Sequence, residues 1–575
     1  MTREPTLGAT GRAALLASLA NETFDVLVLG GGIGGACAAW DAALRGLKVA
    51  LVERLDFCAG TSAQSFKVLH GGIRYLQHLD LPRLRESCRE RGSFLRIAPH
   101  LTRTLPIAVP TFGYGMQSRW LLAAAFVALE SLTLDRNWGI DDSARAIPSP
   151  FLMSRGRLLE RFPGMKSSAA TGAGVFYDGQ IRNPPRAVLA VLRAAAEAGA
   201  VVLNYCEADG LELRDGQVWG ARVVDLLGGS RLQVRAGVTI NATGPFAPDL
   251  LRQIGRAPRV AVPLSRDMAV VVRRQLDPGM AVAVQTRFAD PDALISRGNR
   301  HLFLAPWRGK YTLIGVNSRL YTGNAYDLEV TEAEVSGFLA EINEAYPGLD
   351  LAMEDVSTVN AGLLPFGEND PQSKDLSFGK RSVVVDHEAS DGLKGLITGM
   401  SIRWTMGRLL GERVVDLAER KLRGSVSRSR TDRTPVWGGN IESLGALERE
   451  IRANAMPGLN DTQVSRIACN YGAEWRNVLA LSRDAPGCIA GSDYLIAELK
   501  YAVRHELAAT LADVIMRRLD MGSGERPEDA TLLVSVDLMG EELGWDGSRR
   551  ARELQCLHAS YPFASPGSQH RVLIS

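Results

Sequence analysis

A glycine-rich turn near the N-terminus constrains the fold more than any other feature of this sequence. An apolar segment, FDVLVL at 24–29, runs directly into GGGIGG at 30–35. A helical pattern follows at 36–45, and a second apolar segment at 48–52 ends at Glu53. The order of strand, G-x-G-x-x-G turn, helix, strand and acid is typical of a dinucleotide-binding βαβ unit. We therefore predict an α/β fold that begins with such a unit.

The glycines of this turn have separate roles in binding a dinucleotide. Gly30 permits the tight turn, Gly32 lets the backbone approach a pyrophosphate, and Gly35 allows the helix to pack closely on the sheet. The helix N-terminus directs its partial positive charge at the phosphates. Glu53 follows Gly35 by 18 residues, where an acid can accept hydrogen bonds from ribose hydroxyls.

The composition excludes several classes of protein. A chain of 575 residues is too long for one hydrophobic core, so we expect two or three domains. The 66 Lys and Arg residues nearly balance the 64 Asp and Glu residues, which argues against nucleic-acid binding. The seven cysteines form no C-x-x-C pair, so we expect neither a zinc site nor a disulfide framework, and a reducing, cytoplasmic location.

The apolar runs are too short to cross a membrane. The longest, at 120–129, is about half of the roughly 20 residues that a spanning helix needs. The segment 119–132 is the candidate for lipid contact, but it lacks the basic polar face of an interfacial helix. We expect weak or absent membrane contact, with peripheral attachment at the inner face of the membrane as the alternative location.

Hydrophobic periodicity and turn residues predict the remaining elements. Strands are predicted at 175–178, 200–204, 302–306, 312–316 and 396–399, and a hairpin at 216–225 and 231–239. Helices are predicted at 186–198, from about 404 to 420, and at 498–518, which is the clearest amphipathic helix. A polar, basic linker after Lys421 separates the core from a mostly helical C-terminal region.

A longer run identifies the family that the chain resembles. The segment at 61–76, TSAQSFKVLHGGIRYL, resembles the TSSxSSKLIHGGxRYL of the FAD-dependent (aerobic) glycerol-3-phosphate dehydrogenases. The resemblance covers most of the chain and includes NATGP at 241–245, APWRGKYTLIG at 305–315, NYG at 470–472 and AELKYAVRHE at 497–506. It implies a flavoenzyme that takes hydride from C2 of glycerol 3-phosphate and passes electrons to a quinone or to oxygen.

The resemblance also implies a domain organisation. We expect a docking extension at 1–23, an FAD-dependent oxidoreductase core at 24–425 and a C-terminal helical cap at 441–575. The core combines a Rossmann-like FAD-binding domain of the glutathione-reductase type with an interleaved β-rich substrate domain. The FAD-binding segments are predicted at about 24–110, 170–250 and 375–425, and the substrate-domain segments at about 111–169 and 251–374.

Candidate site residues follow from the dinucleotide unit and from the matched motifs. Arg74 and Tyr75 offer a cation and a phenol to an anionic or hydroxylated substrate, and His70 and Arg403 complete the catalytic candidates. The predicted FAD-binding residues are Gly30, Gly32, Gly35, Glu53, Arg54, Thr61, Ser62, Lys67, Leu69, His70, Gly71, Gly72, Ala208, Thr243, Gly244, Ser401, Trp404 and Thr405.

Departures from the family pattern cluster where its substrate binds. Leu364 stands in place of the Arg of G-V-R-P-L, Ile402 is opposite the Lys of G-G-K-L-T-T, and Met268 replaces the His of K-G-[ST]-H. The family's T-T-D becomes VNS at 316–318, and W-x-D-D-A-R-L becomes IRNPPRA at 181–187. We therefore expect a rebuilt phosphate clamp, with Arg403, Arg266 or Arg319 as candidates for a relocated cation.

These observations favour an FAD-dependent dehydrogenase or oxidase that transfers hydride to flavin N5 from a small hydroxylated substrate. An amine would be oxidised by the same transfer of hydride to the flavin. We expect a substrate other than glycerol 3-phosphate, in keeping with a specialised biosynthetic pathway. The alternatives are a glycerol-3-phosphate dehydrogenase with an altered phosphate clamp and a catalytically inactive flavin-binding subunit. Oxygen and quinone stay open as acceptors, a homodimer is compatible with the sequence, and no general base can be assigned.

Overall fold

The computed structural model describes residues 9–73, 75, 80–113, 118–166, 168–256, 263–286, 301–365, 382–455, 458–561 and 570–571. Within these ranges the helices are α1 (Ala9–Asn21), α2 (Ile33–Leu44), α3 (Leu81–Ile97), α4 (Arg119–Leu132), α5 (Arg155–Arg161), α6 (Pro184–Glu197), α7 (Ala247–Gln253), α8 (Glu332–Ala345), α9 (His387–Asp391), α10 (Gly407–Arg423), α11 (Leu444–Asn454), α12 (Asp461–Tyr471), α13 (Trp475–Ala480), α14 (Ile496–His505), α15 (Asp529–Leu543) and α16 (Gly547–Ala559). The strands are β1 (Thr23–Leu29), β2 (Val49–Val52), β3 (Val68–Leu69), β4 (Thr102–Phe112), β5 (Phe151–Ser154), β6 (Ala170–Ile181), β7 (Val201–Leu203), β8 (Cys206–Arg214), β9 (Gln217–Asp225), β10 (Arg231–Asn241), β11 (Leu264–Val272), β12 (Ala281–Gln285), β13 (His301–Trp307), β14 (Tyr311–Tyr321), β15 (Glu329–Val330), β16 (Val356–Pro365), β17 (Val383–Asp386), β18 (Leu396–Met400) and β19 (His570–Arg571).

The first sheet is the predicted dinucleotide-binding sheet. Its order is β17-β18-β10-β1-β2-β7, and all neighbours in it are parallel except β17 and β18. Strands β1 and β2 are almost wholly buried, because α2 packs on them and α6 and α10 pack on α2. Strands β9 and β10 form the predicted antiparallel pair. The α/β fold class and the opening βαβ unit are thus confirmed.

The second sheet has the order β16-β11-β14-β13-β12-β4-β6-β3, with β5 paired to β6. One face packs on α5 and α8 and forms a core of its own. The other face carries a smaller cluster around Phe66, Val68 and Ile73, which belong to the run at 61–76. The second sheet therefore presents one face to the segment that the sequence assigns to cofactor binding.

Two long strands of the second sheet begin in segments that the sequence assigns to the FAD-binding domain. They are β4, which extends to Phe112 and so passes the predicted segment end at about 110, and β6. They lie in this sheet because of their antiparallel pairing, which runs from Thr102 opposite Ile181 to Phe112 opposite Ala170. A pairing of this length depends on a partner distant in sequence, which local periodicity does not reveal. The bounds of the two domains stay a prediction.

The predicted helix at 498–518 is interrupted, although its apolar periodicity is continuous. Helix α14 ends at His505, and Leu507 has a φ of 55°. Glu506 is buried between these residues, where its carboxylate binds Arg186 at 2.7 Å. A π-helix then spans Asp513–Arg518. The requirement to bury and pair Glu506 therefore overrides the helical pattern.

Helix α4 lies largely at the surface. Trp120 and Val127 are 69% and 68% exposed, whereas Phe126 is buried. Among the described residues, no helix is both long enough and apolar enough to cross a membrane. The expectation of weak or absent lipid contact by this segment stays a prediction.

The C-terminal helical region docks on the first sheet through buried charges. Arg518 binds Asp56 with two hydrogen bonds of 2.7 Å, and Arg517 binds the same carboxylate at 2.6 Å. Asn204 donates at 2.9 Å to Oδ1 of Asp56, the carboxylate oxygen that Arg517 does not bind. Burial acts to raise the pKa of Asp56, but the charges of Arg518 and Arg517 outweigh burial and hold the pKa below its usual range. Asp56 lies three residues after Glu53, so this contact holds the C-terminal region beside the predicted ribose site.

We expect Asp56→Ala to lower the free energy of unfolding by about 3–5 kcal/mol, because it leaves the buried guanidinium of Arg518 without its ion-pair partner, while Arg517 keeps Asp513. Urea denaturation followed by tryptophan fluorescence measures this loss. In the wild type, the contribution is present above the unfolded pKa near 4 and is lost as the pH falls, since the folded pKa is depressed. The matched control is Asp461→Ala, which removes an exposed partner of Arg452 and should cost about 1 kcal/mol or less. Equal losses in the two variants would contradict the assignment.

Candidate functional site

The glycine turn is built from backbone in direct contact with backbone. Gly30 has a φ of 108° and donates its N–H to Val52 at 2.9 Å. A Cβ atom on Gly35 would lie 1.9 Å from the carbonyl oxygen of Gly30. A Cβ atom on Gly30 would lie 2.6 Å from the carbonyl oxygen of Ala242, at the end of β10. The ends of two strands and the start of α2 can therefore meet here only through glycine.

Ser62 closes the N-terminal end of α2. Its hydroxyl accepts a hydrogen bond from the N–H of Ile33 at 3.1 Å. A Cβ atom on Gly32, the residue that precedes α2, would lie 3.0 Å from that hydroxyl oxygen. The first amides of a helix have no partner within the helix and bind anions. This cradle fits the pyrophosphate of a dinucleotide, as the sequence predicts for Gly32 and Ser62.

Glu53 lies directly beside the turn. One carboxylate oxygen accepts the N–H of Gly31 at 2.6 Å, and the other accepts that of Leu55 at 2.9 Å. Burial raises the pKa of Glu53, and the two amides act to lower it. These hydrogen bonds fix the carboxylate at the end of β2, where it can hold ribose hydroxyls.

An aromatic pair flanks the residue after Glu53. The guanidinium of Arg54 lies 5.3 Å from the ring centre of Phe246 and 5.0 Å from that of Tyr326. Thr243 precedes a single 3₁₀ turn, Gly244–Phe246, at the end of β10. The predicted residues Arg54, Thr243 and Gly244 thus lie together on one side of the glycine turn.

Three other predicted cofactor residues have their side chains in different surroundings. The Thr61 hydroxyl donates to the carbonyl of Leu363 in β16 at 3.1 Å. The ammonium of Lys67 lies 4.6 Å from the ring centre of Trp307, where burial lowers its pKa to about 8. Ala208 is part of β8 and packs against the core of the first sheet. A role of these side chains in binding FAD stays a prediction.

The His-Gly-Gly turn is held by an acid that sequence reasoning missed. Asp178 accepts the N–H of Gly71 at 2.7 Å and binds Arg91 at 2.9 Å. The backbone N–H of His70 donates to the Thr405 hydroxyl at 3.2 Å. The Nδ1 atom of the His70 ring lies 3.5 Å from the Asp178 carboxylate. The sign of this role in the sequence was a single acid, Asp178, in the apolar strand predicted at 175–178. The turn therefore connects the second sheet to the segment before α10.

Tyr75 packs against this turn and lines a surface depression. A Cβ atom on Gly72, whose φ is 79°, would lie 2.6 Å from the Tyr75 ring. The guanidinium groups of Arg83 and Arg403 lie 4.8 and 5.1 Å from the centre of the same ring. The depression is lined by Tyr75, Arg83, Glu86, Ser87, Ser382, Ile402, Arg403 and Met406. The catalytic candidate Arg74 lies outside the described residues.

The predicted residues before α10 line the same region. The Ser401 hydroxyl donates to the carbonyl of Arg403 at 2.6 Å. The Trp404 ring packs on Phe94 at 4.9 Å, and its indole N–H has no hydrogen-bond partner among the described residues. Leu69, from the run at 61–76, is buried in β3. A buried donor without a partner, next to the glycine cradle, fits a site for a bound flavin.

The residues that depart from the family pattern have separate locations. Leu364 is half-buried in β16, and Ile402 lines the depression beside Arg403. Met268 is buried in the core on the opposite face of the second sheet. Arg266 binds Glu334, and Arg319 lies 4.0 Å from the same carboxylate. Of the three candidates for a relocated cation, Arg403 is therefore the one that lines the depression.

The altered segment at 181–187 has a structural role. Asn183 caps α6 by accepting the N–H of Arg186 at 3.0 Å. The Arg186 side chain is buried and binds Glu506 of the C-terminal region at 2.7 Å. This segment therefore connects the C-terminal region to the core.

We expect Gly32→Val to give protein without bound FAD, because its side chain would fill the space between the helix N-terminus and Ser62. The flavin absorbance of the purified variant measures this loss, and the wild type should carry one FAD per chain. The control is Gly337→Ala in α8, where an added Cβ atom meets no other atom within 4 Å. Full flavin absorbance in Gly32→Val would show that the cradle is assigned to the wrong residues.

Comparison with known proteins supports this arrangement. Residues 25–417 match the family model of FAD dependent oxidoreductases, and residues 429–550 match that of the C-terminal domain of alpha-glycerophosphate oxidase. The chain is 29% identical to a glycerol-3-phosphate dehydrogenase of Synechocystis, over 94% of this chain and 96% of that protein. It is 31% identical to one from Mycobacterium leprae (96% and 90%) and 33% identical to the mitochondrial enzyme of Mus musculus (96% and 75%).

The fold has a counterpart among solved structures. The glycerol-3-phosphate dehydrogenase of Bacillus halodurans, complexed with FAD, has a TM-score of 0.75 and 23% identity, over 98% of this chain and 99% of that one. The two-sheet core and the C-terminal helical region are therefore a shared fold. Together with the family models and the relatives above 30% identity, this shows that the chain is an FAD-dependent oxidoreductase and belongs to the family of FAD-dependent glycerol-3-phosphate dehydrogenases.

Proposed function

We propose that this protein is a dehydrogenase that oxidises the secondary hydroxyl of a small polyol phosphate, with glycerol 3-phosphate as the first substrate to test. The observation that carries the proposal is the pair of guanidinium groups, Arg83 and Arg403, which lie 4.8 and 5.1 Å from the centre of the Tyr75 ring. Both line one depression next to the His-Gly-Gly turn. The names of the relatives agree with this substrate class.

This proposal differs from the substrate expected from the sequence. Ile402, read as the replacement of a substrate-binding Lys, is followed by Arg403, whose guanidinium lines the depression. A cation is therefore present at this turn. At Leu364 in β16, however, the Arg of the family pattern is still replaced by an apolar residue. These two facts favour the alternative of a glycerol-3-phosphate dehydrogenase with an altered phosphate clamp. A specialised biosynthetic substrate becomes an outcome that the experiment can reveal.

The depression is small, with room for about one water molecule, and Arg83 also binds Asp80. Its guanidinium groups nevertheless have the chemistry to bind a phosphate monoester. Guanidinium groups form charge-assisted, paired hydrogen bonds with phosphate oxygens. The Tyr75 phenol can donate a further hydrogen bond to an oxygen of the ligand. A bound FAD supplies the two-electron acceptor for the substrate's hydride. His70 belongs to the turn on which Tyr75 packs, and a contact of His70 with the substrate stays a prediction.

We expect glycerol 3-phosphate to reduce the flavin under anaerobic conditions in a stopped-flow experiment. Arg403→Ala should weaken substrate binding about 10- to 100-fold, since a charge-assisted hydrogen bond contributes roughly 1.5–3 kcal/mol. The apparent dissociation constant, from the substrate dependence of the reduction rate, measures this change. The control is Arg428→Ala, an exposed residue of the linker after α10, which should not alter it.

The contrary outcomes are specific. Equal reduction by glycerol and by glycerol 3-phosphate would reject phosphate recognition. Reduction by another hydroxylated compound, but not by a polyol phosphate, would restore the substrate expected from the sequence. A flavin that no alcohol reduces would favour the catalytically inactive subunit.

A further inference from the structure

Three buried polar atoms on one face of the second sheet have no hydrogen-bond partner among the described residues. They are a carboxylate oxygen of Asp267, the hydroxyl of Ser318 and the amide nitrogen of Asn360. Ser318 and Asn360 are each 7% exposed, and the unpartnered oxygen of Asp267 is enclosed although the residue retains some exposed surface. An unsatisfied buried polar group costs about 1–3 kcal/mol, and the Ser318 hydroxyl is close enough to the Asp267 carboxylate to lower its pKa. The cluster is therefore a place where a polar ligand or an ordered water can complete the hydrogen bonds.

The pairing of the strands places these three side chains on one face. Asp267 of β11 is opposite Ser318 of β14 and opposite Gly362 of β16. Asn360 is opposite Ala269, two residues along β11 from Asp267. Directly opposite residues share a face of a sheet, as do residues two apart in a strand. The carboxylate, the hydroxyl and the amide are therefore neighbours.

That face is covered by residues 61–66, which belong to the run that the sequence assigns to cofactor binding. A Cβ atom on Gly362 would lie 2.9 Å from a Thr61 methyl carbon, and one on Gly315 would lie 3.3 Å from the Phe66 ring. The stretch from Thr61 to Phe66 connects the α2 cradle to the His-Gly-Gly turn. On the opposite face Met268 is part of the core. The unpartnered groups thus lie on the same side of the sheet as residues 61–66.

The chemistry of the three groups matches a polyol. A carboxylate accepts hydrogen bonds from hydroxyl groups, an amide nitrogen donates to them, and a hydroxyl does either. The nearest cations on the paired strands, Arg266 and Arg319, are on the other face with Glu334. Thr61 and Phe66, which cover the face, are not ionisable. Among the described residues, no opposite charge therefore lies close enough to Asp267 to lower the pKa of its carboxyl.

We propose that Asp267 is the proton acceptor for the hydroxyl that is oxidised, and that Ser318 and Asn360 position the substrate's hydroxyl groups. This inference rests on the proposed function. The O–H and C–H bonds of the carbinol break and a C=O bond forms. The proton passes to the Asp267 carboxylate, and the hydride, with both electrons, passes to the bound oxidised flavin.

Burial raises the pKa of Asp267 to about 6, while the hydroxyls of Ser318 and Ser265 act to lower it. The carboxylate is therefore ionised at pH 7 and becomes protonated as the pH falls through about 6. Only the ionised form accepts a proton, so the rate of flavin reduction should decline on the acid side of this pH.

The test is Asp267→Asn, which preserves shape and removes the proton acceptor. Under anaerobic stopped-flow conditions with glycerol 3-phosphate, we expect the rate of flavin reduction to fall about 10²- to 10⁴-fold. The decline near pH 6 should disappear, and the FAD content should be unchanged. The matched control is Asp350→Asn, an exposed residue with a φ of 47° that Asn tolerates. It should retain the wild-type rate and pH profile.

A second variant and a binding measurement separate this role from a structural one. Ser318→Ala removes a hydroxyl that lowers the pKa of Asp267, so the decline in rate should move to higher pH. The ketone product, dihydroxyacetone phosphate, should bind the oxidised wild-type enzyme more tightly below pH 6, because the protonated carboxyl donates to its carbonyl. The change in flavin absorbance on titration measures this affinity, and Asp267→Asn should lack its pH dependence.

The outcomes that would overturn the inference are distinct. A wild-type rate and pH profile in Asp267→Asn would exclude Asp267 while the proposed function stands. Loss of FAD affinity with an unchanged pH profile would assign the three groups to the cofactor's own hydroxyls instead. Absence of flavin reduction by any polyol phosphate in the wild type would reject the proposed function and this inference with it.

Discussion

The contact between Gly35 and the carbonyl of Gly30 is the constraint on which the rest of the structure depends. Only the absence of a Cβ atom lets α2 start within van der Waals distance of the strand that precedes it. That start directs the helix amides toward the Ser62 hydroxyl and places the turn against Glu53. The predicted phosphate and ribose sites thus both depend on one backbone approach, because any side chain there would displace the helix.

A second set of contacts joins parts of the chain that are far apart in sequence. Asp178 in the second sheet holds Gly71, and Thr405 before α10 holds His70. These hydrogen bonds fix the turn on which Tyr75 packs, with Arg83 and Arg403 against its ring. The proposed anion site therefore depends on both sheets at once. Loss of either anchor should disturb the positions of cations that do not themselves contact it.

The two halves of the proposed site have different electrostatic character. The depression at Tyr75 has guanidinium groups that suit an anion, whereas the face at Asp267 has a carboxylate, a hydroxyl and an amide that suit hydroxyl groups. A polyol phosphate contains both kinds of group. The C-terminal region is held beside the predicted ribose site, because Arg517 and Arg518 bind Asp56, three residues after Glu53.

Local sequence patterns were enough to predict the features that depend on neighbouring residues. The glycine turn, the acid after β2, the α/β class and the family run at 61–76 are local patterns whose chemistry needs no distant partner. Tertiary structure decided the rest. The helix at 498–518 breaks because Glu506 pairs with Arg186, 320 residues away, and β4 joins the second sheet because β6 pairs with it. Asp267 became a candidate only when strand pairing showed that it shares a face with Ser318 and Asn360. The periodicity of a strand shows that its residues alternate between two faces, but it does not show which residues of other strands lie beside them.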